Sequence, residues 1–123
     1  HILIIEDDKM LRMALSHHFL EEGHMISAAS NGKQALELVE QTSHLDLIIC
    51  DVLLPEISGP TFILMLKQKF PKKVPALIVI SAVKDGENFL KSLGIPYDHF
   101  LPKPIDFNEL GALVSLTMAN GKC

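Results

Sequence analysis

The stretch Leu45-Asp46-Leu47-Ile48-Ile49-Cys50-Asp51-Val52-Leu53-Leu54-Pro55-Glu56-Ile57-Ser58-Gly59 decides the fold. Four apolar residues, Leu47 to Cys50, run without a break. They are too few for a buried helix and suit a strand covered on both faces. The run ends at Asp51, and Pro55 with Gly59 then forces a loop. An acid is therefore expected at the carboxyl end of a central strand, the edge where open α/β sheets bind ligands. Taken alone, Asp51 reads more readily as a turn former or a helix cap. The rest of the chain decides against that.

Upstream, His1 to Ile5 is apolar and β-branched and also ends in acid, Glu6-Asp7-Asp8. Leu11, Leu15 and Phe19 then share one helical face, with Gly23 as the stop. One of the three acids is expected to cap this helix. Met25 to Ala29 reads as a short, weaker strand, Asn31-Gly32 as a helix start, and Ala35, Leu36 and Val39 as its buried face. Downstream, a helix is predicted over Thr61 to Phe70 with Pro60 near its first turn. Ala76 to Ile80 is the fourth strand and ends at Ser81-Ala82. Asp85 to Leu93 is a poorer helix closed by Gly94, and His99 to Leu101 a brief fifth strand leading into Pro102-Lys103-Pro104. Asp106 can cap a last helix through Met118, with Leu110, Leu113, Val114 and Thr117 inward. Strand and helix thus alternate five times, which predicts parallel βαβ units with helices on both faces of one sheet.

The totals agree. A chain of 123 residues fits one domain, here residues 1–123, with enough length for one core. A net charge of -4 argues against direct nucleic-acid binding. Two cysteines, Cys50 in a buried run and Cys123 at the end, suggest no disulfide framework. No stretch has membrane-spanning length and no signal peptide is visible, so no membrane insertion and a cytoplasmic setting are expected. The chain begins inside a strand-like run and ends without a linker, as a piece of a longer protein would.

Alternation places every strand's carboxyl end on one edge. There the chain sets Glu6 and Asp7, then Asp51, then Ser81, then Lys103. Carboxylates so close repel one another unless a cation joins them, and oxygen ligands at a small site favour Mg²⁺, with Mn²⁺ as a substitute. The six histidines show no metal-binding spacing; His17-His18, adjacent on a helix, read as surface or partly buried residues.

Together, Ile4-Ile5-Glu6-Asp7-Asp8, Asp51 to Gly59, Ser81-Ala82 and Lys103-Pro104 resemble a response-regulator receiver domain of two-component signalling. The resemblance covers essentially the whole chain. It implies a flavodoxin-like sheet in the order 2-1-3-4-5 with five helices. It also implies Asp51 as phosphoacceptor, and Glu6, Asp7, Asp51 and the Leu53 carbonyl as Mg²⁺ ligands. Ser81 and Lys103 would contact the phosphoryl group, Ser81 and Phe100 would switch, and Pro104 would be cis. Leu53 and Val83 would flank the water that hydrolyses the aspartyl phosphate. Implied partners are a histidine kinase or histidine phosphotransfer protein, and an effector met through the fourth helix, fifth strand and fifth helix. Some positions differ from the usual pattern: Glu6 as first acid, Ser81 for Thr, Phe100 for Tyr, Leu54 for Met. Gly94-Ile95-Pro96-Tyr97-Asp98 departs most. Two alternatives stay open: a degenerate receiver acting only as an interaction module, and a phosphatase that forms an aspartyl phosphate. Such phosphatases commonly carry an acid two residues after the nucleophile, where Leu53 stands.

Overall fold

The computed structural model describes residues 1–83 and 85–120; the expectation for Cys123 lies outside them. The chain runs β1 (Ile2–Ile5), α1 (Lys9–Glu21), β2 (Ile26–Ala29), α2 (Gly32–Gln41), β3 (Leu47–Asp51), α3 (Gly59–Lys69), β4 (Ala76–Ser81), α4 (Gly86–Ser92), β5 (His99–Pro102) and α5 (Phe107–Asn120). The five strands form one sheet in the order β2-β1-β3-β4-β5, every pair parallel.

Strand periodicity divides the core in two. Leu3, Ile5, Ile48, Cys50, Leu77 and Val79 face α2, α3 and α4, where Leu36, Phe62, Ile63, Leu66 and Leu90 pack against them. Ile2, Ile4, Leu47, Ile49, Ile78 and Ile80 face the other way, onto Leu15 and Phe19 of α1 and Leu110 and Val114 of α5. This two-sided burial is why β1 and β3 read as unbroken apolar runs. Each fully buried side chain contributes about 1.5–3 kcal/mol of transfer free energy.

Local chemistry sets the helix starts. Asp8 is the acid that caps α1, accepting from the amides of Met10 and Leu11. Asn31 caps α2 through Gln34, and Asp106 accepts from Asn108 and Glu109 at the start of α5. α3 begins two residues before the predicted Thr61, because Ser58 caps it and Pro60 fits its first turn. Gly59 is fixed there by contact: a Cβ would collide with the carbonyl oxygen of Asp51. Its own N–H donates to Val52 O at 2.9 Å. The loop after β3 is thereby folded back onto the strand end that carries Asp51. Met25 is exposed and lies outside β2, though its carbonyl still accepts from Ile2 N.

Candidate functional site

The parallel register brings the strand ends level. Ile5 pairs with Cys50, Asp51 with Ile80, and Ser81 with Pro102. The residues that follow β1 and β5, and those that end β3 and β4, therefore meet at one edge. Glu6 is fully buried, Asp51 is 3% exposed and Ser81 is 1% exposed. Asp7 is exposed and Lys103 half-buried.

Lys103 ties the acids together. Its Nζ donates to Asp51 Oδ2 at 2.7 Å and lies 2.8 Å from Glu6 Oε1. The other oxygens have backbone partners: Leu53 N donates to Asp51 Oδ1 at 3.1 Å, and Asp8 N to Glu6 Oε2 at 3.0 Å. Glu6 Oε1 is buried and has no aligned hydrogen-bond donor, so its charge is paired but its lone pairs are not satisfied. Burial pushes the Glu6 carboxyl up to about 7, against the contacts with Lys103 and the Asp8 amide. Burial pulls the Lys103 ammonium down, but its contacts with Asp51 and Glu6 outweigh this and hold it above its ordinary value.

Oxygens of Glu6, Asp7 and Asp51 lie within 4.8 Å of one another, the set among the described residues with metal-ligand spacing. All donors are carboxylate oxygens, two of the three from buried side chains. A hard divalent cation of the Mg²⁺ class fits that chemistry.

The remaining predicted residues lie close by. Ser81 Oγ accepts from Val83 N at 2.9 Å. Phe100, on β5, is half-buried against the core beneath α4. A cavity of about 370 Å³ lies here, lined in part by Ser81, Val83, Gly86, Phe100 and Lys103. The Lys103–Pro104 peptide is cis. Leu53 stands 59% exposed beside Asp51. Elsewhere, His17 and His18 pair with Glu21 and Glu22 along α1. A larger cavity, about 520 Å³, opens among residues such as His44, Lys73 and Thr117, away from the acids.

Sequence reasoning does not single out Arg12. Its Nη1 donates to the Glu6 carbonyl at 2.8 Å and reaches the Asp7 carbonyl at 3.4 Å, bracing the backbone that carries both acids. The signal was a cation one turn after the Asp8 cap, on the side of α1 that returns to β1.

Comparison with known proteins agrees with this arrangement. Residues 2–115 match the response regulator receiver domain family. The chain is 35% identical over 120 residues to the probable transcriptional regulatory protein SilR of Salmonella typhimurium, covering 98% of this chain and 51% of that protein. It thus spans about half the length of the curated relatives it matches. Among solved structures, the receiver domain of a signal transduction histidine kinase from Syntrophus aciditrophicus superposes with a TM-score of 0.86 at 30% identity, covering 98% of this chain and 91% of that one. The response regulator TrrA of Thermotoga maritima, in complex with Mg²⁺-BeF, gives 0.80 at 28% identity, covering 94% and 96%. The chain belongs to the response regulator receiver domain family.

Proposed function

We propose that residues 1–123 form one phosphoacceptor domain that takes a phosphoryl group from a partner phosphohistidine onto Asp51. The observation that carries this reading is the Asp51 carboxylate itself. It is almost fully buried at a strand end, with one oxygen on Lys103 Nζ and the other on an amide, inside a cluster of three acids. An Asp51 oxygen would form the new O–P bond as the donor's N–P bond breaks, and the donor leaves as neutral imidazole after taking a proton.

Glu6, Asp7, Asp51 and the Leu53 carbonyl would hold Mg²⁺, or Mn²⁺ in its place. When bound, the ion would offset the repulsion between the two anions and align the incoming group. Lys103 would keep its charge on Asp51 and the phosphoryl oxygens. Ser81 Oγ would exchange its bond with Val83 N for one to the phosphoryl group, and Phe100 would move into the space this frees. Phosphorylation adds charge and acceptor oxygens, and α4, β5 and α5 would carry the change to an effector. Exposed Phe89 on α4, Leu93 at the C-cap that follows it and Leu116 on α5 suit that surface. Exposed Met10 and Met13 on α1, with Pro104 and Ile105, suit a transient contact with the histidine kinase or phosphotransfer protein.

The domain is then a switch rather than an enzyme on other substrates; its chemistry is its own phosphorylation and slow dephosphorylation. Leu53 cannot transfer a proton, which disfavours the phosphatase alternative. Every side chain the transfer needs is present, which disfavours a degenerate receiver. A net charge of -4 speaks against direct nucleic-acid contact. Among the described residues no helix is long and apolar enough to cross a membrane, in keeping with a cytoplasmic role. The test is intact mass after incubation with acetyl phosphate and Mg²⁺. Wild type should gain one phosphoryl group and lose the gain in EDTA. Equal gain by Asp51→Asn would overturn the proposal.

A further inference from the structure

α4 is the shortest of the five helices. It has seven residues, and Asp85 at its start takes φ +60, in the left-handed region, with no capping hydrogen bond from its side chain. α1, α2, α3 and α5 each have a side-chain acceptor at the N-terminus. The first turn of α4 is instead tied to a different segment: Tyr97 Oη donates to Glu87 Oε2 at 2.8 Å. An ionised acceptor makes this one of the stronger side-chain bonds.

Tyr97 also bears on the switch pair. Its ring sits edge-on to Phe100, with centroids 6.4 Å apart and planes at 64°. The α4 backbone rests on the same pair, since a Cβ on Gly86 would lie 3.1 Å from Ser81 Oγ and 3.2 Å from Phe100 Cζ. Ser81, Phe100, the first turn of α4 and Tyr97 are therefore one packed unit, and close packing does not let one member move while the rest stay. Phe100 carries no hydroxyl. The chain's single tyrosine stands three residues earlier, within the stretch that departs from the family pattern, and its hydroxyl reaches α4.

We propose that Tyr97 is a positioning residue of the switch: through Glu87 and Phe100 it latches α4 in place and resists the movement of Ser81 toward a phosphoryl group. The proposal rests on the phosphoacceptor reading above. It applies to the arrangement in which Ser81 Oγ is bonded to its own loop at Val83. Tyr97→Phe keeps the ring and removes only the hydroxyl. It should shift the equilibrium toward the switched arrangement by about fivefold, the net worth of one hydrogen bond at a half-buried position where water competes for both partners.

Beryllofluoride with Mg²⁺, the ligand seen on TrrA, serves as the phosphoryl mimic, with its bound fraction read by ¹⁹F NMR. The chain has one tyrosine and no tryptophan, so its intrinsic emission reports on Tyr97 alone. Wild-type emission should change as beryllofluoride saturates. Tyr97→Phe and Glu87→Met should each bind the mimic more tightly, by about fivefold for Tyr97→Phe, and the double variant no more tightly than the singles predict for one shared bond. Unchanged emission at saturation overturns the latch. So does a Tyr97→Phe variant that unfolds at lower urea but binds the mimic as wild type does, since the bond would then be structural only. If Asp51→Asn binds beryllofluoride as wild type does, the phosphoacceptor reading itself fails, an outcome separate from either of these.

Discussion

Replacing Glu6 by glutamine should change how stability depends on pH. Burial raises the Glu6 carboxyl from its ordinary 4.5 to about 7. An acid whose folded pKa exceeds its unfolded one binds extra protons in the native state. Its contribution is fully favourable below about pH 4.5 and is lost as pH rises through about 7. At ~1.4 kcal/mol per pH unit, the rise from 4.5 to about 7 amounts to a loss of about 3 kcal/mol by pH 8. The introduced amide would keep the volume and an oxygen for Asp8 N, carry no charge, and leave Lys103 to Asp51. In EDTA, Glu6→Gln should therefore gain on wild type by up to about 3 kcal/mol between pH 5 and pH 8. Urea unfolding followed by circular dichroism measures this, and the difference between the two proteins isolates the contribution of position 6. Excess Mg²⁺ should restore wild type at pH 8 and help the variant less, because a ligand that binds only the folded state stabilises by mass action. Parallel stability profiles from pH 5 to pH 8, with equal response to Mg²⁺, would refute the reasoning.

Three further outcomes are expected. Leu53→Asn, which puts a hydrogen-bonding group beside Asp51, should shorten the lifetime of the phosphorylated state roughly three- to tenfold once the donor is removed; decay no faster than wild type would mean that water access at Leu53 does not set it. Titration with a cognate histidine phosphotransfer domain should shift amide resonances of Met10, Met13, Ala14 and Ile105, whereas shifts confined to Ala35 through Val39 would contradict docking over α1. Ile49→Ala, at a fully buried position of β3, should cost about 2–5 kcal/mol in urea unfolding.

Much of this was legible in the chain because burial leaves a local record. Leu47 to Cys50 is apolar at every position because β3 is covered on both faces, so a run of four residues announced a central strand and the acid at its end. A cap among Glu6-Asp7-Asp8, a helix start at Asn31-Gly32 and a cap at Asp106 could be read because capping spans only three residues, and the structure assigns the first to Asp8. Less was legible where distant segments decide. Ser58 caps α3 ahead of Thr61, but its role depends on Gly59 packing on the backbone of Asp51. Strand order came from the family resemblance, since periodicity says which residues are buried and not which strands adjoin. The grip of Arg12 on the Glu6 carbonyl, and of Tyr97 on Glu87 and Phe100, exists only once α1 lies against β1 and α4 against β5. The departure of Gly94 through Asp98 from the family pattern marked the second of these without saying what it does.

The central claim is that the phosphoryl group resides on Asp51 as an acyl phosphate, and borohydride trapping tests it most directly. Wild type is phosphorylated with acetyl phosphate and Mg²⁺, reduced with sodium borohydride, digested, and sequenced by mass spectrometry. The acyl phosphate is reduced to an alcohol, so homoserine should appear at position 51 and in no other peptide, in proportion to the phosphoryl group gained beforehand. Aspartate left intact at position 51, with borohydride-stable phosphate on Ser81 or a reduced side chain at Glu6 or Asp7 instead, would contradict the account.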